Sequence, residues 1–277
     1  MKIERLIIEN FKSIERIELI KPNPFTVFVG PNGSGKSNIF EGLEFFNLTD
    51  RVPNAISLFG GKGAVQRRQI PLADLRVEVQ TDILVREVIG DVVTKSNELQ
   101  NVTKKAFTDN YHQLIANFSR LFVKNDSLIK LLFNDDQRLS LSANNLEKVL
   151  KRVLSNEALK DELFEWLELF VPSFKAVEVD DRDELHWFEE SSSEYFTKDL
   201  ISDGTYNILA LLAAVYQSEK PQFLCIEEPE NGLHPEVIMT LVDFFRQQCE
   251  EKGHYIWLNT HSESVVKKLT TDEIVLV

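Results

Sequence analysis

Apolar residues in this chain change their spacing several times, and each change marks an element. Leu6-Ile7-Ile8 predicts a first strand, and Ile14, Ile17 and Leu19 a second. Pro22-Asn23-Pro24 is a turn, because the prolines fix φ and Asn tolerates turn geometry. Phe25-Thr26-Val27-Phe28-Val29 is β-branched and aromatic throughout, which suits a buried strand. It runs into glycine-rich sequence, and a helix is predicted from about Lys36. Further on, Leu75, Val77 and Val79 alternate with Arg76, Glu78 and Gln80, as in an antiparallel strand with one wet face. Residues 83–89 and 91–94 extend this into a meander.

From 98 to 172 the pattern predicts helix. Leu146, Val149, Leu150, Val153 and Leu154 fall at helical spacing, as do Leu159, Leu163, Trp166, Leu167 and Phe170, and Pro172 ends the run. Residues 175–200 return to strand-like sequence. After 200 the chain alternates: a helix opening at Ser202-Asp203-Gly204, a strand at Phe223-Leu224-Cys225-Ile226, a helix from Pro235 to Gly253, and a strand at Tyr255-Ile256-Trp257-Leu258. Such alternation builds a parallel sheet with helices packed on it. The expected organisation is one domain over 1–277, with 98–172 as a helical insertion within it.

Composition narrows the function classes. Hydrophobic residues make up 43% and charged residues 27%, ordinary for a globular chain. No stretch reaches the roughly 20 apolar residues of a bilayer span. Met1-Lys2-Ile3-Glu4-Arg5 lacks the pattern of a secretory leader, so a cytoplasmic location is expected. The net charge of −13 argues against whole-surface affinity for nucleic acid, which needs clustered Lys and Arg. Lys62, Arg67 and Arg68 are read as a solvated charged loop. Cys225 and Cys249 lack metal-ligand spacing and are read as reduced thiols, Cys225 within an apolar run.

Two segments carry chemistry. Gly30-Pro31-Asn32-Gly33-Ser34-Gly35-Lys36-Ser37 matches G-x-x-x-x-G-K-[ST] between a strand and a helix. There the glycines let backbone N–H groups of Asn32, Gly33, Ser34, Gly35 and their neighbours up to Asn38 turn toward phosphate, and the helix N-terminus adds partial positive charge. Lys36 is a mobile point charge for the β- and γ-phosphates, and Ser37 is a hard oxygen ligand for Mg²⁺. The second segment is Phe223-Leu224-Cys225-Ile226-Glu227-Glu228, an apolar strand with two carboxylates at its tip. Glu227 is assigned to the Mg²⁺ shell and Glu228 to orienting or deprotonating the attacking water.

With these motifs the chain resembles the ABC-type ATPase heads of the SMC-like, RecF-like and OLD-like (overcoming lysogenization defect) group. Within that group it looks most like the prokaryotic AAA-like ATP-binding proteins, many of which belong to phage-defence systems. The resemblance covers roughly 1–48 and 198–265 and is weak between. It implies an α/β fold: a P-loop NTPase with an ABC-type mixed sheet, an N-terminal antiparallel portion and an inserted helical lobe. It implies that Lys12 and Ser13 of Ile8-Glu9-Asn10-Phe11-Lys12-Ser13 lie near the nucleotide. It implies that Ser202-Asp203-Gly204-Thr205 is the signature sequence, with Ser202 and Gly204 meeting the γ-phosphate held by another protomer. Glu227 through Pro235 resembles the Walker B and D-loop block, and Thr260-His261-Ser262 the switch loop whose His261 senses the γ-phosphate. Glu227 stands where aspartate is more usual. The family's Q-loop glutamine has three candidates here, Gln66, Gln69 and Gln80. A TOPRIM-type nuclease domain, common in OLD-like proteins, is not expected within these residues.

The reading that results is Mg²⁺-dependent ATP binding and hydrolysis, driving a nucleotide-sandwich homodimer or higher oligomer that controls a protein effector such as a nuclease or toxin in antiphage defence. Alternatives are an SMC/RecF-like ATPase acting on DNA in repair or recombination, and a nucleotide-sensing scaffold with negligible hydrolysis. Lys36→Ala is expected to abolish nucleotide binding through loss of a charge-assisted phosphate contact. Titration with a fluorescent ATP analogue measures this, and unchanged affinity would contradict the phosphate-cradle assignment.

Overall fold

Two sheets of opposite character are built from the two kinds of apolar pattern. The computed structural model describes residues 1–49, 52, 54–67, 74–90, 92–98, 103–123 and 136–277. The antiparallel sheet has the order β2-β1-β4-β5-β6, formed by β1 (Ile3–Phe11), β2 (Ile14–Ile20), β4 (Arg76–Thr81), β5 (Leu84–Ile89) and β6 (Val92–Glu98). Here the predicted meander is observed, with Val77 opposite Val88 and Arg76 opposite Ile89. The parallel sheet has the order β12-β3-β11-β10-β7. It is formed by β3 (Phe25–Val29), β7 (Phe118–Leu121), β10 (Phe223–Glu227), β11 (Tyr255–Thr260) and β12 (Ile274–Leu276). β8 (Phe174–Val179) and β9 (Leu185–Glu189) pair separately as a hairpin.

Side chains alternate across a strand, and both faces of the parallel sheet are covered. Phe223, Cys225, Tyr255, Trp257 and Phe28 enter one core, shared with β1, β4 and the helix α1 (Lys36–Leu48). Leu224, Ile226, Ile256, Leu258 and Val27 enter the other, shared with α5 (Leu146–Leu154), α6 (Glu157–Phe170), α7 (Asp203–Tyr216) and α8 (Pro235–Lys252). α1 lies between the two sheets. It touches β1 and β4 on one side and β7 on the other, and its residues from Ile39 to Leu48 are buried apart from half-buried Glu44. A helix buried on all sides loses the one-sided apolar stripe of a surface helix. α7 is likewise buried from Tyr206 to Tyr216. Short helices α2 (Ala55–Leu58), α3 (Lys62–Val65), α4 (Lys104–Tyr111) and α9 (Glu263–Val266), a π turn at His112–Ala116 and a 3-10 turn at Thr271–Glu273 complete the described elements.

The stretch 98–172, expected to be helical, is corrected in one respect. It contains α4, α5 and α6, but Phe118–Leu121 is strand β7, an edge of the parallel sheet beside β10. Four residues are too few for periodicity to register, and Phe118-Ser119-Arg120-Leu121 places a charge where a buried strand normally has none.

Buried His254 closes the link from α8 to β11, its Nδ1 accepting the Gln222 backbone N–H at 3.0 Å. Burial, helped by nearby Lys252, pushes its pKa down to about 4 from 6.5. Between those values only the unfolded chain takes up the proton. The stabilisation from neutral His254 is therefore full above pH 6.5 and lost as pH falls through about 4, a change of about 3 kcal/mol. His254→Asn keeps an acceptor without the titration. Denaturant midpoints at pH 7 and pH 4 should show a shallower loss in that variant, and equal losses would contradict the assignment.

Candidate active site

Three adjacent parallel strands deliver the chemistry to one edge. β11 lies between β3 and β10, with Thr260 opposite Val29 and Asn259 opposite Glu227. The residues that follow β3, β10 and β11 therefore emerge side by side at the carboxyl ends of the strands, where ligands of open α/β sheets bind. After β3, Gly33 and Gly35 take φ of 82° and 107°, values that L side chains rarely adopt. α1 begins directly behind them at Lys36. The Ser34 hydroxyl is buried without a hydrogen-bond partner among the described residues. Lys36 is buried and its Nζ donates to the Gly30 and Pro31 carbonyls at 2.7 and 2.9 Å. The ammonium is thus folded over the loop, held by neutral carbonyls that phosphate oxygens would outcompete.

Across from Ser37 stands Glu227. The exposed Ser37 hydroxyl donates to Glu227 Oε2 at 2.5 Å, and Asn259 Nδ2 donates to the same oxygen at 3.1 Å. Glu227 Oε1 is held by Arg120 from β7, at 2.6 Å from Nε and 2.5 Å from Nη2. A hydroxyl and a carboxylate in direct contact form a hard oxygen set of the kind Mg²⁺ prefers, so the residues present fit that ion.

Glu228 leaves the strand with φ 45°, a left-handed conformation that carries strain in a residue with a Cβ. Its N–H donates to the Asn259 carbonyl at 3.0 Å, which holds the turn open against β11. Glu228 Oε1 lies 3.6 Å from His261 Nδ1, and Oε2 accepts from Asn231 Nδ2 at 3.2 Å. Beneath them, buried Glu230 accepts from the Thr260 hydroxyl. Burial pushes the Glu230 carboxyl above the usual carboxylate range, an effect that the Thr260 bond opposes.

The remaining predicted residues fall into two groups. Ser13 and Asn38 adjoin the loop: Asn38 Nδ2 donates to Ser13 Oγ at 2.7 Å, and a Cβ at Gly35 would lie 3.0 Å from that hydroxyl. Lys12 pairs with Glu41 on α1, and Asn32 is exposed at the loop tip. Ser202 and Gly204 belong to another part of the chain. Ser202 caps α7, its Oγ accepting the Thr205 N–H at 3.0 Å. A Cβ on Gly204 would stand 2.6 Å from the Gly232 carbonyl, so within this chain the missing side chain admits the loop after Glu228. Of the glutamines, Gln66 bridges Phe11 beside Lys12, Gln80 lies in β4 opposite Arg5 and Val85, and Gln69 lies outside the described residues. Arg68 lies outside them too. Lys62 and Arg67 pair with Asp74 and Glu15. Both cysteines are buried thiols.

Sequence reasoning missed Arg120 and Asn259. Asn259 was visible only as a polar residue ending an apolar strand. Arg120 had no signal, because its strand was not recognised.

A family model described as "AAA ATPase domain" matches residues 1–165, and one described as "AAA domain, putative AbiEii toxin, Type IV TA system" matches 85–267. The chromosome partition protein Smc of Methanocaldococcus jannaschii is 49% identical over 43 residues, 16% of this chain and 4% of that protein. The DNA replication and repair protein RecF of Geobacter sp. (strain M21) is 33% identical over 79 residues, 25% of this chain and 22% of RecF. The chain therefore spans only a small part of the curated relatives it matches. Among solved structures, an Smc head bound to the C-winged helix domain of ScpA superposes with a TM-score of 0.63 at 17% identity, covering 99% of this chain and 96% of that one. The SMC head domain from Thermotoga maritima gives 0.54 at 16% identity, covering 97% and 92%. At such identities the superpositions establish the fold.

The strain at Glu228 has a measurable consequence. Glu228→Gly relieves the left-handed backbone and should raise stability by about 1 kcal/mol. Its carboxylate contacts are half-exposed and weak. Urea unfolding measures the change, and a destabilised variant would show that the side chain holds the turn.

Proposed function

The chain belongs to the AAA ATPase domain family, with the fold of an SMC/RecF-like ABC-type ATPase head, and from that premise we propose that it binds MgATP on residues 30–38 and hydrolyses it. The observation that carries this reading is the 2.5 Å contact between Ser37 Oγ and Glu227 Oε2, which joins the end of the phosphate loop to the carboxylate of a neighbouring strand. Ser37 and Glu227 would hold Mg²⁺, and the ion when bound neutralises charge on the phosphate oxygens. Lys36 moves from the Gly30 and Pro31 carbonyls to the phosphates. The backbone N–H groups opening α1 take the remaining oxygens. Glu228 accepts the proton of the attacking water or orients it. His261 reports the γ-phosphate to Glu228, a role supported by its Nδ1 lying 3.6 Å from Glu228 Oε1.

Closure is the second half of the proposal. Ser202 and Gly204 open α7 at an exposed N-terminus, and two copies pack head to tail so that this end of each meets the nucleotide of the other. Gly204 lies against the loop that follows Glu228, so occupancy across the interface is felt at the hydrolytic turn. The closed dimer controls a protein effector of the nuclease or toxin class in a cytoplasmic defence system. The description of the model matching 85–267 names a toxin–antitoxin system, which supports the defence setting, and the charge of −13 suits a protein partner. A DNA-directed role is the second reading, supported by the relatives named for chromosome partition and for DNA replication and repair.

Glu228→Gln with ATP and Mg²⁺ should accumulate a dimer or larger assembly in light scattering, while phosphate release falls by about 100-fold or more. A monomer at every ATP concentration would remove the closure model. Equal, near-zero phosphate release in wild type and variant would favour a nucleotide-sensing scaffold.

A further inference from the structure

Resting on the MgATP reading above, we propose that Arg120 is a positioning residue that clamps one oxygen of Glu227 so that the other faces Ser37. The length of the Glu227 side chain, compared with an aspartate, creates the need. Glutamate has one more methylene and one more rotatable bond, so its carboxylate has to be fixed by something other than the reach of the chain. The register supplies the means. Arg120 is the β7 partner of Cys225, two residues before Glu227 on β10. Cys225 and Glu227 share a strand face, the one packed toward α1. Arg120 is therefore delivered beside Glu227 and beneath α1.

There the guanidinium is 2% exposed and divides its edges. Nε and Nη2 both reach Glu227 Oε1, at 2.6 and 2.5 Å. Nη1 turns to α1, reaching Glu44 Oε2 at 2.7 Å and Glu41 Oε1 at 3.6 Å. Glu227 Oε2 is left to Ser37 and Asn259. One planar fork is thus anchored on the helix that also carries Lys36 and Ser37, and it sets the rotation of the carboxylate opposite them. Glu41 also takes Lys12, so a continuous run of ion pairs joins the end of β1 to Glu227. A merely structural ion pair would act on folding alone. The division of the two Glu227 oxygens predicts a specific effect on the ion.

Lysine at 120 keeps the charge and loses the fork. The test titrates a fluorescent ATP analogue into wild type, Arg120→Lys and Glu44→Ala, first without divalent ions and then over a Mg²⁺ series. Mn²⁺ binding in the presence of nucleotide is followed in parallel by electron paramagnetic resonance. Arg120→Lys should raise the Mg²⁺ half-saturation by about tenfold, as loss of an outer-shell partner does at metal sites. Metal-free nucleotide affinity should not change. Glu44→Ala, which frees the anchoring end of the guanidinium at a more exposed position, should shift it in the same direction by less, and it supplies the readout if Arg120→Lys does not fold. Mg²⁺ dependence equal to wild type in the folded variants would overturn the proposal. So would a parallel loss of metal-free binding, which would mark Arg120 as scaffold. Wild-type binding indifferent to Mg²⁺ would instead sink the MgATP reading itself.

Discussion

A carboxylate at the end of a buried strand must be paired, and at Glu227 that requirement organises the site. Almost fully enclosed, its polar oxygens would be strongly unfavourable without partners. Ser37 comes from α1, Asn259 from β11 and Arg120 from β7, so four elements distant in sequence meet on one side chain. The glycine-rich loop before α1 is held against the acidic strand through Ser37, which shares Glu227 Oε2 with Asn259. Any change in the order of β3, β11, β10 and β7 would leave at least one of these partners without a counterpart.

The rest of the architecture serves this meeting point. The parallel sheet packs apolar side chains on both faces, and Glu227, Asn259 and Thr260 stand at the carboxyl ends of β10 and β11. The antiparallel sheet packs against α1 on the other side and supplies Lys12 and Ser13, which contact Glu41 and Asn38 of that helix. The central helix α7 ties Asn207 to the Pro229 and Asn231 carbonyls at 3.0 and 2.8 Å, so the turn carrying Glu228 is supported from behind. Strain at Glu228 persists because its backbone is bound to β11 and the next residue is a proline.

Much of this was legible in the residue pattern, for identifiable reasons. The phosphate loop is a local signal: glycines that need positive φ, a lysine and a serine, all within eight residues and flanked by a strand and a helix. The pair Glu227-Glu228 was legible for the same reason, as charge at the tip of an apolar run. The helix opening at Ser202 was legible because a helix start is set by neighbours within one turn. What escaped was set by tertiary structure. β7 has four residues, one of them a buried arginine, and only its place beside β10 makes it a strand. Arg120 therefore could not be seen as a partner of Glu227, since nothing local relates positions 120 and 227. The tight fit of Gly204 to Gly232 is of the same kind.

The central claim is that Ser37 and Glu227 form one divalent-cation site at the foot of a triphosphate. It is tested most directly by anomalous diffraction from crystals grown with Mn²⁺ and a non-hydrolysable ATP analogue. The account predicts a manganese peak between the Ser37 hydroxyl and the Glu227 carboxylate, with the triphosphate wrapped by residues 30–38. A peak elsewhere, or a nucleotide bound away from that loop, would contradict it.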